Sequence, residues 1–421
     1  MDVAVIGGGY VGLVQAAGMA HLGHRVRVGE ADPAKLEELE AGRLPIYEKG
    51  LAELMDEGRA GGRLTFHGSN VDAASTADVT FLCLPTPPGV DGAADLSVVE
   101  AVVRELAHAL EAGSIVVIKS TVPVGTTSRL AKRLDGRLRL VGNPEFLREG
   151  SAVTDFLRPD RVVIGADDED AAEVVASLYE GLDARVLRTD LTSAELIKYG
   201  ANGYLATRLT FVNALANIAD SVGADILDVV EGMGLDPRIG PHFLRPGPGY
   251  GGSCFPKDTI ALLATSRQAG YEFTLLQSVV DADRSQRHWI VGNIRRMLGG
   301  DLADKRIGMW GVAFKAGTDD IRESPALKIA SMLRSEGAVI AASDPEAHSL
   351  DVEMAPDPIA AAKGAELLVV ATEWPEFRSV DMTEVAAVMS GTAVYDLRNL
   401  LDPARVRNAG LTYQALGRPH A

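Results

Sequence analysis

Cys254 lies in the stretch 243–258, F-L-R-P-G-P-G-Y-G-G-S-C-F-P-K-D, with Lys257 and Asp258 close behind it. A thiol beside a lysine is favoured as thiolate, the nucleophilic form. Gly247, Gly249, Gly251 and Gly252 let the backbone come close to a ligand. A lone cysteine is more often a buried packing residue. A packing residue, however, needs no glycine collar with charges three and four positions on. Nucleophilic chemistry is the better reading.

Other residues suited to chemistry fall in short stretches elsewhere. Glu145 and Glu149, in N-P-E-F-L-R-E-G (143–150), are four apart and share a face if the segment makes one helical turn. Two carboxylates near a strand end suit proton transfer or water activation. Thr86, Ser120 and Thr121 follow apolar runs, where ligands bind in open α/β sheets; capping a turn is their plainer role. Lys198 and Asn202, four apart on a helical pattern, point the same way, toward a phosphate or sugar or merely toward solvent. Lys315, Arg322 and Arg398 come after later strand patterns and suit phosphates or sugar hydroxyls.

The elements that must position these groups read as α/β throughout. V-A-V-I-G-G-G-Y-V-G-L (3–13) is a strand, a glycine turn and a helix start, with Gly7, Gly9 and Gly12 in G-x-G-x-x-G spacing. Gly7 makes the turn, Gly9 admits a pyrophosphate, and Gly12 lets helix pack on strand. Glu30 follows the second strand, 18 residues after Gly12, and suits a ribose with free hydroxyls, favouring NAD over NADP. Lys35 either reaches the same ribose or is a surface lysine. Thr192 and Glu195 have capping-box spacing. From there to Val222 runs a proline-free helix of roughly 43 Å, with Leu196, Ile197, Tyr204, Leu205, Leu209, Val212, Leu215 and Ile218 expected on its buried side. Residues 259–298 read as helical again, and strands return at 306–310, 338–343, 366–371 and 393–396. The expected architecture is two Rossmann-like doubly wound domains, 1–190 and 299–421, joined by a long central helix and a helical middle, 191–298, that carries the cysteine loop.

Composition sets outer limits. A net charge of -17 over 421 residues argues against nucleic-acid binding. No apolar run is long enough to span a bilayer, and no signal peptide opens the chain. Two cysteines, Cys83 and Cys254, give no disulfide framework and fit a reducing, cytoplasmic setting. Cys83 reads as a buried packing residue. No metal is expected.

Taken together, I-G-G-G-Y-V-G (6–12), P-I-Y-E-K-G-L (45–51), K-S-T-V-P-V-G-T (119–126), N-P-E-F-L-R-E-G, G-G-S-C-F-P-K-D (251–258) and F-K-A-G-T-D-D-I-R-E-S-P (314–325) resemble the UDP-glucose/GDP-mannose dehydrogenase family, in its order and over nearly the whole chain. The resemblance implies NAD-dependent, four-electron oxidation of a nucleotide sugar's C6 hydroxyl to a carboxylate, in a homodimer built on the helical middle. The branch acting on UDP-glucose is the most similar. It implies Cys254 as nucleophile, Lys198 as oxyanion stabiliser, Asn202 as a substrate contact, Glu145 or Glu149 as acid/base, and Thr121 with Asp258 as holders of the catalytic water. It implies NAD contacts at Gly7, Gly9, Tyr10, Val11, Gly12, Glu30, Lys35, Thr86, Thr121, Glu149, Lys257 and Arg322. Nucleotide-sugar contacts are implied at Glu145, Phe146, Leu147, Arg148, Glu149, Lys198, Asn202, Phe243, Leu244, Arg245, Pro246, Gly247, Tyr250, Gly251, Lys315 and Arg398, and at Arg238 from the other subunit. Glu30 stands where the family more often has aspartate, and Leu397 where it usually has glycine. GDP-mannose, a UDP-N-acetylhexosamine, a two-electron β-hydroxyacid oxidation and a catalytically dead nucleotide sensor are the alternatives.

Overall fold

A computed structural model describes residues 1–89 and 92–419. By internal packing the chain forms two compact units, Met1–Ala201 with Ile260–Tyr271, and Asn202–Thr259 with Glu272–Ala421.

The first unit is built on a sheet of β1 (Asp2–Ile6), β2 (Arg25–Gly29), β3 (Leu64–His67), β4 (Val79–Leu82), β5 (Ser114–Ile118), β6 (Leu138–Gly142), β7 (Arg161–Ala166) and β8 (Arg185–Thr189). Their order is β3-β2-β1-β4-β5-β6-β7-β8, parallel except for the β6–β7 pair. The central strands β1, β4 and β5 are nearly unbroken apolar runs because both sheet faces are buried there. Val3 and Val5 enter one core while Ala4 and Ile6 enter the other, as the two-residue pleat requires. The order reverses between β1 and β4, so the turns after these two strands open on one crevice.

The second unit repeats that plan. Strands β9 (Arg306–Trp310), β10 (Val339–Ser343), β11 (Glu353–Met354), β12 (Leu367–Val370), β13 (Ala393–Asp396) and β14 (Thr412–Ala415) form a parallel sheet ordered β11-β10-β9-β12-β13-β14. The likeness extends to the first turn. Gly7 N–H donates to Gly29 O at 2.8 Å, and Gly311 N–H donates to Ser343 O at 2.8 Å. Asp344 then stands after β10 as Glu30 stands after β2. Its carboxylate accepts from Val312 N–H at 2.7 Å, Ala313 N–H at 3.0 Å and Trp374 Nε1–H at 3.2 Å. That carboxylate is occupied in closing its own turn, where Glu30 stands at a glycine turn open to a ligand.

The long helix runs Leu191–Val222. It differs from expectation at its start and on its faces. Asp190 caps it, accepting from Ser193 N–H at 2.8 Å through its side chain and from Ala194 N–H at 3.1 Å through its carbonyl. Thr192 is therefore inside the helix, and Glu195 is free to act elsewhere. Leu196, Tyr204 and Ile218, expected to be buried, are exposed. Ala194, Tyr199, Gly203, Ala206, Ala216 and Ala219 are the residues that pack inward. Val212 is buried as expected, so the inward face is mostly small residues with Tyr199 and Val212 among them, while Leu196, Tyr204, Phe211 and Ile218 are left outside. The helical stretch after Thr259 is also two helices, Phe255–Gln268 and Thr274–Met297, parted at Gly270, whose φ of +76° no other residue type adopts cheaply.

Candidate active site

The first turn is shaped for a close-lying anion. Gly7 has φ +105°, and a Cβ on Gly12 would lie 1.8 Å from Gly7 O. A Cβ on Gly9 would meet nothing within 4 Å, so the turn is open on that side. Gly9 precedes the helix Tyr10–His21, whose N-terminus has no side-chain cap. Those unpaired N–H groups suit a pyrophosphate. Glu30 Oε2 accepts from Gly8 N–H at 3.1 Å and pairs with Lys35 Nζ at 3.1 Å. A carboxylate held beside the turn can accept from ribose hydroxyls and would repel a 2′-phosphate. These residues fit NAD. Replacing Gly12 with alanine should therefore cost about 2–3 kcal/mol of stability by overpacking and abolish NADH binding, read by urea melts and fluorescence titration.

Beyond β4 and β5 the chain ends are tied together. Thr86 Oγ1 donates to Thr121 O at 2.9 Å, and Leu84 N–H donates to Ser120 Oγ at 2.8 Å. Glu195 reaches across from the long helix to the helix Thr126–Leu134, accepting from Thr127 N–H at 2.8 Å, from Thr127 Oγ1 at 2.7 Å and from Gly125 N–H. A buried carboxylate from a distant helix thus caps the loop that carries Thr121.

After β6, residues 143–148 are irregular, so Glu145 and Glu149 do not share a helical face. Asn143 explains this. Its backbone N–H donates to Ile118 O at 3.0 Å and its side chain to Val163 O at 2.7 Å, holding the segment as an extension of the sheet. Pro144 then brings no N–H to a helical turn. Glu145 is buried and Glu149 half-buried. Lys198 Nζ donates to Glu145 Oε1 at 2.7 Å, and Leu147 N–H to Oε2 at 2.7 Å. Burial pushes the Glu145 carboxyl upward. The charge and hydrogen bond of Lys198, the Leu147 N–H and the nearby Lys119 outweigh it and hold the group below the usual glutamate range. Glu145 is therefore a carboxylate at neutral pH. Phe146 lies with the Arg161 guanidinium 3.8 Å from its ring centre and Lys198 Nζ at 5.5 Å. Arg148 is bound to Asp155, with Nε at 3.0 Å from Oδ2.

In the second unit, Cys254 sits at the N-terminus of the helix Phe255–Gln268, its carbonyl accepting from Asp258 N–H at 2.8 Å. The thiol is half-buried, with Ser253 Oγ 3.6 Å from Sγ. A helix N-terminus favours an anionic sulfur. Asp258 is 1% exposed; its Oδ1 accepts from Lys257 Nζ at 2.6 Å and its Oδ2 from Asn202 Nδ2 at 2.6 Å. Asn202 and Asp258, far apart in sequence, are thus brought together, and Lys257 completes the pair.

The glycine loop before Cys254 is held from several sides. Gly247 N–H donates to Asn213 Oδ1 at 2.8 Å, and Gln286 Nε2 donates to Gly247 O at 3.2 Å. Tyr250 N–H donates to Asp283 Oδ1 at 3.0 Å, and Arg287 pairs with Asp283 at 2.7 Å. Gly251 touches the turn before the helix Pro325–Ser335, where a Cβ would lie 2.6 Å from Glu323 O. Phe243 takes φ +57°. Leu244, Pro246 and Tyr250 are buried, while Arg245 is exposed. None of the props Asn213, Asp283, Gln286 and Arg287 was singled out from sequence. The last three have i, i+3, i+4 spacing, which also describes an ordinary solvated helix face.

Among the cations, Arg398 is the most enclosed. It donates to Ala371 O at 3.0 Å and Phe314 O at 3.1 Å, bridging the loops after β12 and β9 at the switch point of that sheet. A Cβ on Gly247 would lie 2.9 Å from its Nη1, so the cysteine loop and this cation adjoin. Lys315 Nζ lies 5.6 Å from the Phe314 ring centre. Arg322 and Arg238 are each bound two residues back, to Asp320 and Asp236 at 2.6 Å, and the Arg238 side chain is 87% exposed.

A dinucleotide turn with a carboxylate held beside it, in the same unit as a buried glutamate–lysine pair, defines an NAD-dependent oxidoreductase; the other unit adds a half-buried cysteine at a helix N-terminus. Three profiles of the UDP-glucose/GDP-mannose dehydrogenase family match: the NAD-binding domain over residues 1–183, the central domain over 192–285 and the UDP-binding domain over 308–403. UDP-glucose 6-dehydrogenase of Pseudomonas aeruginosa is 41% identical, with 100% of this chain and 98% of that protein covered. UDP-glucose 6-dehydrogenase TuaD of Bacillus subtilis is 40% identical, covering 99% and 93%. Among solved structures, a UDP-glucose dehydrogenase from Pyrobaculum islandicum superposes with a TM-score of 0.91 at 38% identity, covering 99% and 97%. The chain belongs to the UDP-glucose/GDP-mannose dehydrogenase family.

Proposed function

We propose that this chain oxidises the C6 hydroxyl of UDP-glucose to a carboxylate, giving UDP-glucuronate with two NAD and one water. The observation that carries the reading is Cys254 at a helix N-terminus with the buried Asn202–Asp258–Lys257 cluster behind it. Full-length identity of about 40% to relatives named for this substrate supports UDP-glucose over other nucleotide sugars.

NAD, held by the Gly7–Gly12 turn and Glu30, supplies the hydride acceptor for both oxidations. The chain's own residues do the rest. Glu145, ionised, takes the hydroxyl proton, and Lys198 stabilises the alkoxide. The Cys254 thiolate adds to the aldehyde carbon; the C–S bond forms and the carbonyl electron pair moves to oxygen, again facing Lys198. Tethering keeps a reactive aldehyde from leaving. After the second oxidation the carbon is a thioester. A water beside Asp258 adds to it, Asp258 receives a proton, and the C–S bond breaks to return the thiolate. Phe243, Gly247, Gly251, Lys315 and Arg398 hold the nucleotide sugar. Product mass after incubation with UDP-glucose and NAD tests the reading. A gain of one oxygen and loss of two hydrogens, with two NADH per sugar, is expected. Turnover of GDP-mannose or a UDP-N-acetylhexosamine in place of UDP-glucose would overturn the substrate assignment.

The working form is a homodimer. Tyr204, Phe211 and Ile218 recur every seven residues on the long helix and are 62%, 54% and 55% exposed. Such a stripe matches a helix seam against a second copy. Phe211→Glu should halve the mass seen by sedimentation. Among the described residues no helix is long and apolar enough to cross a membrane, and Cys83 and Cys254 form no disulfide, which suits the cytoplasm.

A further inference from the structure

Glu48 belongs to P-I-Y-E-K-G-L, and the chemistry above assigns it no part. It is a buried carboxylate, 6% exposed, in a segment without regular structure. Its Oε2 accepts from the Tyr10 hydroxyl and from Gly150 N–H at 2.6 Å. Gly150 N–H also lies 3.1 Å from the Tyr10 oxygen, so the three groups form one closed knot. Tyr10 is the first residue of the helix whose N-terminus fits the pyrophosphate. Gly150 ends the loop that carries Glu145, with φ +79°. A second tie lies one element on, where Phe156 packs directly on the same helix: a Cβ on Gly18 would fall 2.1 Å from its ring.

Stability alone explains this carboxylate poorly. Its other oxygen, Oε1, is buried with no hydrogen-bond partner among the described residues, and a half-satisfied buried polar group is costly. Burial and Glu48 itself push the Tyr10 hydroxyl far above its usual range, so Tyr10 remains a donor at any working pH.

We propose that Glu48 is a positioning residue that couples the two binding events, transmitting the set of the cofactor helix through Tyr10 to the Gly150 end of the sugar loop. This rests on the proposed function, which sets the sugar's reacting hydroxyl against Glu145 of that loop. Binding at either end then pre-orders the other, and the coupling is reciprocal.

NADH and UDP-glucose form a pair that cannot react, so affinity is measurable without turnover. NADH fluorescence titrations with and without saturating UDP-glucose give the coupling ratio. For the wild type, UDP-glucose should tighten NADH about fivefold or more. Glu48→Ala should bring the ratio to within about twofold of one, while Glu48→Gln, whose amide oxygen still accepts from both donors, should keep most of it. Tyr10→Phe should lower the ratio as well, and serves if Glu48→Ala does not fold. A general loosening would weaken both ligands without changing their ratio. A folded Glu48→Ala or Tyr10→Phe with the wild-type ratio, or a wild-type ratio of one, overturns the coupling. Failure of the wild type to bind UDP-glucose overturns the proposed function and the coupling with it.

Discussion

Replacing Cys254 with alanine stops carboxylate formation while nucleotide-sugar binding and fold are kept. The side chain is half-buried at the head of a helix, so truncation leaves a small gap open to solvent and the melting temperature should move little. Catalysis is another matter. Cys254 is the only cysteine of the 243–258 loop, and a thiolate is a far stronger nucleophile than a serine hydroxyl. Without the sulfur the aldehyde is not tethered, and acid production should fall on the order of 10³-fold or more. The measurement is NADH yield per sugar with product mass: the variant should stop short of two NADH, with aldehyde trapped by a hydrazine. Two NADH per sugar at the wild-type rate would sink the covalent route.

How much of this was legible beforehand depends on the range of the interactions involved. The glycine turn, β1, β9 and the carboxylate after β2 follow from local rules: two-residue alternation, buried apolar runs and positions only glycine can fill. Short strands such as β3, with a Leu-Thr-Phe-His sequence, carry too little pattern to stand out. Glu195 illustrates a deeper obstacle. Its spacing from Thr192 fits a local cap, yet its carboxylate satisfies a helix nearly seventy residues earlier in the chain, because Asp190 already caps the long helix. Local spacing identifies a group able to cap but not which N–H groups will be in reach. The outward Tyr204–Phe211–Ile218 stripe is the same difficulty on a larger scale, since apolar residues on an exposed helix face can have the same spacing as those that pack within the chain. Glu145 and Glu149 separate for a third reason: Asn143 commits the backbone to the sheet, and that commitment is made by partners on β5 and β7.

The Lys198–Glu145 pair gives the second large effect. Both side chains are buried, at 4% and 7% exposure, and 2.7 Å apart. Lys198→Met leaves a carboxylate without its main counter-charge, which typically costs about 3–5 kcal/mol when the group stays ionised. It also removes the cation that the proposed mechanism sets against each oxyanion, so kcat should fall about 10²–10³-fold. The pH dependence identifies the cause. In the wild type the Glu145 carboxyl is held below its unfolded value, so its contribution to stability is present above that value and lost as pH falls through the folded one. In the variant, burial acts with less opposition and pushes the group up, so the sign reverses: the cost is present at high pH and is relieved as pH falls through the raised value. Adding Glu145→Gln removes the unpaired charge. The double variant should regain most of the stability, with urea midpoints no longer sensitive to mild acid, and should regain none of the activity. Recovery of turnover together with stability would mean that Lys198 acts only by keeping Glu145 in place.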